Sequence, residues 1–293
     1  MESTTKIDSQ SWIIMLFLSL VWGCSFILIK KALIAFAPIQ VAGLRVFISA
    51  IAFLPFVWIN RNAIDWSRWR KFLAIGLAGT GIPAFLFPFA ETQISSAMAG
   101  LLNSLSPIWT LIIGVIVFRL HFKAVKILGI AIGFLGAALL ILFGDASGMN
   151  TNISFGLLIV LATFLYGLSA NLVQAYMHDV KPVVIGSVSF FTISIPALIL
   201  LLATDVTGVV ASHPEAWYSL GAAAILAIFG TVISTVLFYK LIQRTNAVFG
   251  STVTYLMPVF AMMWGFADGE HIGMLHFIGL LLILTGVYFT KSD

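Results

Sequence analysis

Few side chains in this 293-residue sequence could do chemistry, and they fall into two kinds. The ionisable ones in apolar surroundings are Arg45, Glu91 and Lys30. Arginine offers a planar fork of donors to a carboxylate, and glutamate offers acceptors to an ammonium. The neutral ones are Trp22, Ser25, Asn103, Tyr166, Asn171 and Thr254, which can hold a small solute by hydrogen bonds and an aromatic face. Pro107 and Pro258 belong with them, because proline within a helix removes a donor and frees a carbonyl. Motifs for covalent or metal chemistry do not occur. There is no nucleophile elbow and no H-E-x-x-H pair, and His271 and His276 are five apart and do not share a helix face. Cys24 is the one cysteine, so neither a disulfide within the chain nor a thiolate cluster is available. No G-x-x-x-x-G-K-S/T loop is present to cradle phosphates, so direct nucleotide drive is not expected. The set suits noncovalent recognition, without catalysis, cofactor or metal.

The elements that must position these residues are membrane helices. The chain is 61% hydrophobic and 9% charged, against about 25% charged in soluble domains. Apolar runs occupy 12–30, 40–59, 72–90, 96–118, 124–143, 153–177, 182–203, 217–241, 247–266 and 272–290. Runs of about 20 residues cross a hydrocarbon core about 30 Å thick as helices, whereas barrel strands would alternate over about ten. The first run is long for a signal peptide and is closed by Lys30 and Lys31, so it is read as a span. The connections, of which "GDASGMNTNIS" and "TDVTGVVASHPEAW" are the longest, hold no soluble domain. Function must therefore lie within the bundle, with the lipid bilayer and a small-molecule substrate as partners.

Charge sets the expected orientation. Of fifteen Lys and Arg, Lys30 and Lys31 lie at ends of one side and Arg45 within the second run. The other twelve, among them Lys6, Arg68, Arg119, Lys123, Lys126 and Arg244, fall on the opposite side. Both termini are expected in the cytoplasm, and the basic pI near 9.3 reflects this bias rather than nucleic-acid binding.

The chain also repeats itself. "AMAGLLNSLSPIWTLIIGVI" from Ala97 matches "VFGSTVTYLMPVFAMMWGFA" from Val248. In step with it, Gly79-Thr80 matches Gly230-Thr231 and Phe87 matches Phe238, while Gly129 and Gly136 match Gly279 and Gly286 one residue shorter. "WGCSF" from Trp22 corresponds to "YGLSA" from Tyr166. Two five-span units are expected, 1–148 and 149–293. Because five is odd, the second enters the membrane from the opposite side, which makes an inverted-topology repeat with a midplane site between units and alternating access around it.

Within the fourth run Gly100, Asn103, Pro107, Thr110 and Gly114 form one stripe at steps of three and four, and Ser251, Thr254, Pro258, Ala261 and Gly265 repeat it. Close helix packing explains the small residues equally well. Leu101, Leu105, Ile108 and Ile112 lie off the stripe, and Leu105 and Ile112 are the expected lipid-facing positions. Arg45, Glu91 and Lys30 are expected to ring an outer vestibule, as substrate contacts or as an ion pair that steadies the bundle.

"VWGCSFILIKKAL", "LRVFISAIAFLP" and "SSAMAGLLNSLSPIWTLIIGVI", in that order and with the repeat, resemble the drug/metabolite transporter superfamily of the EamA type over nearly the whole chain. The resemblance implies a cytoplasmic-membrane carrier, commonly an exporter of amino acids or other small metabolites. It also implies a cavity built by spans one to four and six to nine, with five and ten peripheral. "YGLSAN" stands where the family often has tryptophan, at Tyr166. One intramembrane cation is too few for a sugar phosphate, so neutral or zwitterionic cargo is expected. A channel-like facilitator is the rival reading, with a membrane enzyme behind it. Proton coupling, exchange and facilitated diffusion all stay open, as does the oligomeric state.

Overall fold

A computed structural model describes residues 8–118, 124–143 and 153–291. Lys6, Arg119, Lys123 and the 144–152 connection lie outside the described residues. Eight helices are long and apolar enough to cross a membrane: α1 Ser9–Ala32, α2 Pro38–Ala63, α3 Trp66–Ala90 and α4 Ser96–Val117, then, beyond α5 Ala124–Phe143, α6 Ser154–Tyr176, α7 Pro182–Leu202, α8 Ala216–Arg244 and α9 Ala247–Ala267. Met274–Lys291 forms α10. The described residues form an all-helical membrane protein without strands.

Apolar side chains cover both the inside and the outside. Phe266 and Leu202 are about three-quarters exposed, at 74% and 75%. In water such a surface would be a liability, and in hydrocarbon it costs nothing. Inside, α4 is the most buried span, with 72% of its apolar window enclosed. Leu101, Leu105 and Ile108 are fully buried, which corrects the expectation that Leu105 faces lipid. The polar stripe and the apolar face of α4 both meet protein, because α6, α9, α1, α10 and α5 pack around this helix.

The two prolines of the repeat break their helices as their chemistry requires. Pro107 cannot donate to the Asn103 carbonyl, the helix divides at Ser104 and Leu105, and Ser106 Oγ donates to that carbonyl at 2.8 Å. Pro258 cannot donate to the Thr254 carbonyl, and α9 tightens to a 3₁₀ turn over Thr252–Tyr255. There Ser104 Oγ, from the break in α4, donates to the Thr254 carbonyl at 3.1 Å. The two broken helices satisfy each other at depth, where no lipid group could.

Gly79-Thr80 and Gly230-Thr231 also share a structure: each pair sits in a wide π-helical turn, Leu77–Gly81 in α3 and Ile228–Ile233 in α8. Each turn is met by a serine from the other half of the chain. A Cβ on Gly79 would lie 2.5 Å from Ser169 Oγ, and one on Gly230 would lie 2.9 Å from Ser25 Oγ. Apart from this assembly, α5 and α10 pack chiefly on each other. A Cβ on Gly286 would meet the Gly129 carbonyl at 2.5 Å, a backbone approach only glycine permits.

Candidate functional site: a cavity between the halves

Around the wide turns the helices line a partly open cavity. The repeat-related residues Trp22 and Tyr166, Ser25 and Ser169, and Asn103 and Thr254 all line it. Arg45 lines it as well. Pro107, Pro258 and Asn171 are not among its lining residues. Asn171 Nδ2 instead donates to the Thr110 carbonyl at 2.9 Å and the Gly167 carbonyl at 2.8 Å, clamping α6 to α4. The prolines act one step removed, through the breaks that turn Asn103 and Thr254 inward. α7, expected as a wall, contributes no lining residue among those described.

Aromatic faces make the wall. Trp22 meets Phe238 edge-on at 5.1 Å, and Phe87 stacks on Tyr166 at 6.0 Å and tilts against Phe26 at 5.7 Å. Trp22 Nε1 donates to the Gly230 carbonyl, within the wide turn, at 2.8 Å. Thr231 Oγ1 donates to the Leu226 carbonyl at 3.1 Å and accepts from Arg45 Nε at 2.9 Å. Asn103 Nδ2 reaches only Met257 Sδ at 3.7 Å, and Asn103 Oδ1 is buried without a partner among the described residues. Phe87, Phe238, Thr80 and Thr231 were visible as matched pairs in the repeat, and that pairing was the signal that could have placed them here.

Of the three charges expected to form one vestibule, Glu91 lies within electrostatic reach of Lys30 and Arg45 but makes no ion pair with either among the described residues. Arg45 stays in the cavity, while Lys30 Nζ pairs with Asp268 at 2.7 Å and Glu270 at 2.8 Å. Lys31 joins Asp268. Glu270 is the centre of this latch: Oε1 accepts from Ser96 N–H at 3.0 Å and Ser96 Oγ at 2.7 Å, and Oε2 accepts from Ala97 N–H at 3.0 Å. It caps the positive N-terminus of α4 and binds Lys30 at the C-terminal end of α1. Burial pushes the Glu270 carboxyl up, but hydrogen bonds from Lys30, Ala97 and Ser96 outweigh it and hold the group below its ordinary value. Glu91, just past the end of α3, is buried with both oxygens unpartnered among the described residues. Burial and the Glu270 charge raise it well above the carboxylate range, against Lys30 and Arg45.

At the opposite end of the bundle a neutral latch takes the equivalent place. Gln174 Oε1 accepts from Ala247 N–H at the start of α9, and Gln243 Nε2 donates to the Met177 and Val180 carbonyls at 2.6 and 2.7 Å.

A multi-pass helical membrane protein with an amphipathic cavity lined from both halves of the chain is the class these observations define. The description of the EamA-like transporter family matches this sequence twice, over residues 10–142 and 154–291, and the chain belongs to that family, within the drug/metabolite transporter superfamily. An uncharacterized transporter of Archaeoglobus fulgidus is 25% identical over 288 residues, covering 95% of this chain and 98% of the relative. A probable amino-acid metabolite efflux pump of Escherichia coli is 24% identical, covering 94% and 93%. The inner membrane transporter YedA of Escherichia coli, itself uncharacterized, is 22% identical, covering 92% and 87%. A solved crystal structure aligns with a TM-score of 0.66 at 17% identity over 97% of this chain and 96% of that one, a likeness of fold.

Proposed function

We propose that this chain is a secondary carrier that exports small amphipathic metabolites by alternating access around the cavity. Its ten helices would span the membrane as two inverted five-helix units, 1–148 and 149–293, with both termini cytoplasmic and the Lys30 latch on the outer side. The observation that carries the reading is the reciprocal packing of Ser25 on Gly230 and Ser169 on Gly79, which puts like parts of the two halves across one cavity. The twofold family match supports the division into units. The export direction draws on the name of the Escherichia coli efflux relative. Two latches at opposite ends of one cavity are what a carrier that opens alternately requires.

The substrate-binding set we propose is Trp22, Ser25, Asn103, Tyr166 and Thr254, with Pro107, Pro258 and Asn171 holding the helices in shape. One lining cation limits the cargo to low net charge, which neutral and zwitterionic metabolites satisfy. The test is transport in proteoliposomes with pooled metabolites. Saturable uptake with counterflow supports a carrier, whereas flux that rises linearly without counterflow supports the channel-like reading instead.

A further inference from the structure

Arg45 is 8% exposed, yet it makes a single hydrogen bond among the described residues, from Nε to Thr231 Oγ1. A guanidinium has five N–H donors, so those on its two terminal nitrogens have no acceptor among the described residues. Among the described residues no carboxylate lies within 4 Å to form an ion pair with it. Glu91 and Tyr166 are within its electrostatic reach, but Glu91 does not line the cavity. A buried charge without a counter-ion is costly, and this one opens onto a cavity walled by Trp22, Phe26, Phe87, Tyr166 and Phe238.

We infer that the cargo is an organic monocarboxylate with an apolar or aromatic body, whose carboxylate pairs with the free fork of Arg45. This rests on the carrier reading of the cavity and replaces its neutral or zwitterionic cargo with a monoanion. Two donors set side by side match one carboxylate in geometry and charge. The rest of the lining argues against a zwitterion. Asn103 Oδ1, Tyr166 Oη and the hydroxyls of Ser25 and Thr254 can accept from an N–H, but none is charged, and the lining includes no Asp or Glu. An ammonium brought in with the carboxylate would lose its water without a compensating anion. The aromatic faces then take the body, and Asn103 Oδ1 is left for a neutral donor such as a hydroxyl or an amide.

Four probes that share one body separate the head groups: 3-phenylpropanoate, phenylalanine, 3-phenylpropan-1-ol and 3-phenylpropan-1-amine. Binding is measured to the purified full-length protein in nanodiscs at neutral pH. The expected order places 3-phenylpropanoate first, roughly ten- to hundredfold tighter than the alcohol, the range for charge-assisted hydrogen bonds. Phenylalanine falls below it and the amine last. Arg45→Gln should bring the carboxylate down to the level of the alcohol, and alcohol binding that Trp22→Ala still weakens in this variant shows that the cavity is folded. Arg45→Lys, which keeps the charge without the fork, should lie between; where Arg45→Gln does not accumulate, this variant carries the test. Phenylalanine binding as tightly as 3-phenylpropanoate, or carboxylate affinity unmoved in either variant, overturns the inference. If alcohol and carboxylate bind equally and Trp22→Ala weakens both, the cavity reading stands and the carboxylate fails. If no probe binds, both fail.

Discussion

Trp22 Nε1 and the Gly230 carbonyl meet at 2.8 Å, and this bond, with that from Arg45 Nε to Thr231 Oγ1, ties the first half of the chain to the wide turn of the second. Gly230 lies in the π-helical turn over Ile228–Ile233, whose backbone bonds are spaced differently from those of an α-helix. Trp22→Phe keeps a ring against Phe238 but leaves the carbonyl without its donor. An unsatisfied buried acceptor costs roughly 1–3 kcal/mol. The expected result is a melting midpoint several degrees lower in nanodiscs; an unchanged midpoint would mean that the turn does not depend on the indole.

The α5–α10 contact offers the opposite test, stability without affinity. Gly286→Ala places a Cβ 2.5 Å from the Gly129 carbonyl and 2.5 Å from Gly133 N, so the helices must part. Overpacking of this kind costs about 1–3 kcal/mol. Neither helix lines the cavity among the described residues, so the midpoint should fall while ligand affinity per folded molecule holds. Lost affinity at an unchanged midpoint would bring these helices into the site.

How far the sequence reaches is seen in particular residues. Asn103 and Thr254 were legible as cavity residues because the repeat gives two independent copies of one position, and Trp22 and Tyr166 followed by the same logic. Asn171 was not, since a polar residue on a helix can clamp a neighbour's carbonyl as readily as hold a ligand. Leu105 misled because a face without polar residues looks the same whether it meets lipid or protein. The partners of Lys30 were hidden entirely: Asp268 and Glu270 lie far along the chain, Glu270 240 positions away, and only the folded chain brings them to Lys30.

The Lys30 latch should be acid-sensitive. Asp268 and Glu270 are held below their ordinary values of 3.8 and 4.5. Groups with depressed values contribute stability that is present above the ordinary value and lost as pH falls through the lowered one. Glu270→Gln should therefore lower the melting midpoint at pH 7, and the gap to the wild type should close as pH falls below about 4. A gap that stays constant across this range would contradict an ionic latch.

Glu91 works in the opposite sense. Its raised carboxyl, facing Lys30, Arg45 and Glu270, means that the folded protein favours the protonated form. Stability from that preference is present below the ordinary value of 4.5 and lost as pH rises through the raised one. Glu91→Gln mimics the neutral form at every pH. Its midpoint should match the wild type near pH 4.5 and exceed it by a few degrees at pH 8. A variant less stable at pH 8 would show that the charge of Glu91 holds the bundle together.

Alternating access around the cavity is tested most directly by thiol reactivity at Thr254→Cys in a Cys24→Ser background. A membrane-impermeant reagent is applied to vesicles of either orientation. The account predicts labelling from both sides, slowed by 3-phenylpropanoate. A short linker joining Lys30→Cys to Glu270→Cys, fitted with the Thr254 thiol protected, should abolish labelling from the Lys30 side and leave it intact from the other. Labelling from both sides with the linker in place, or from neither side without it, would contradict a carrier that opens this cavity to one side at a time.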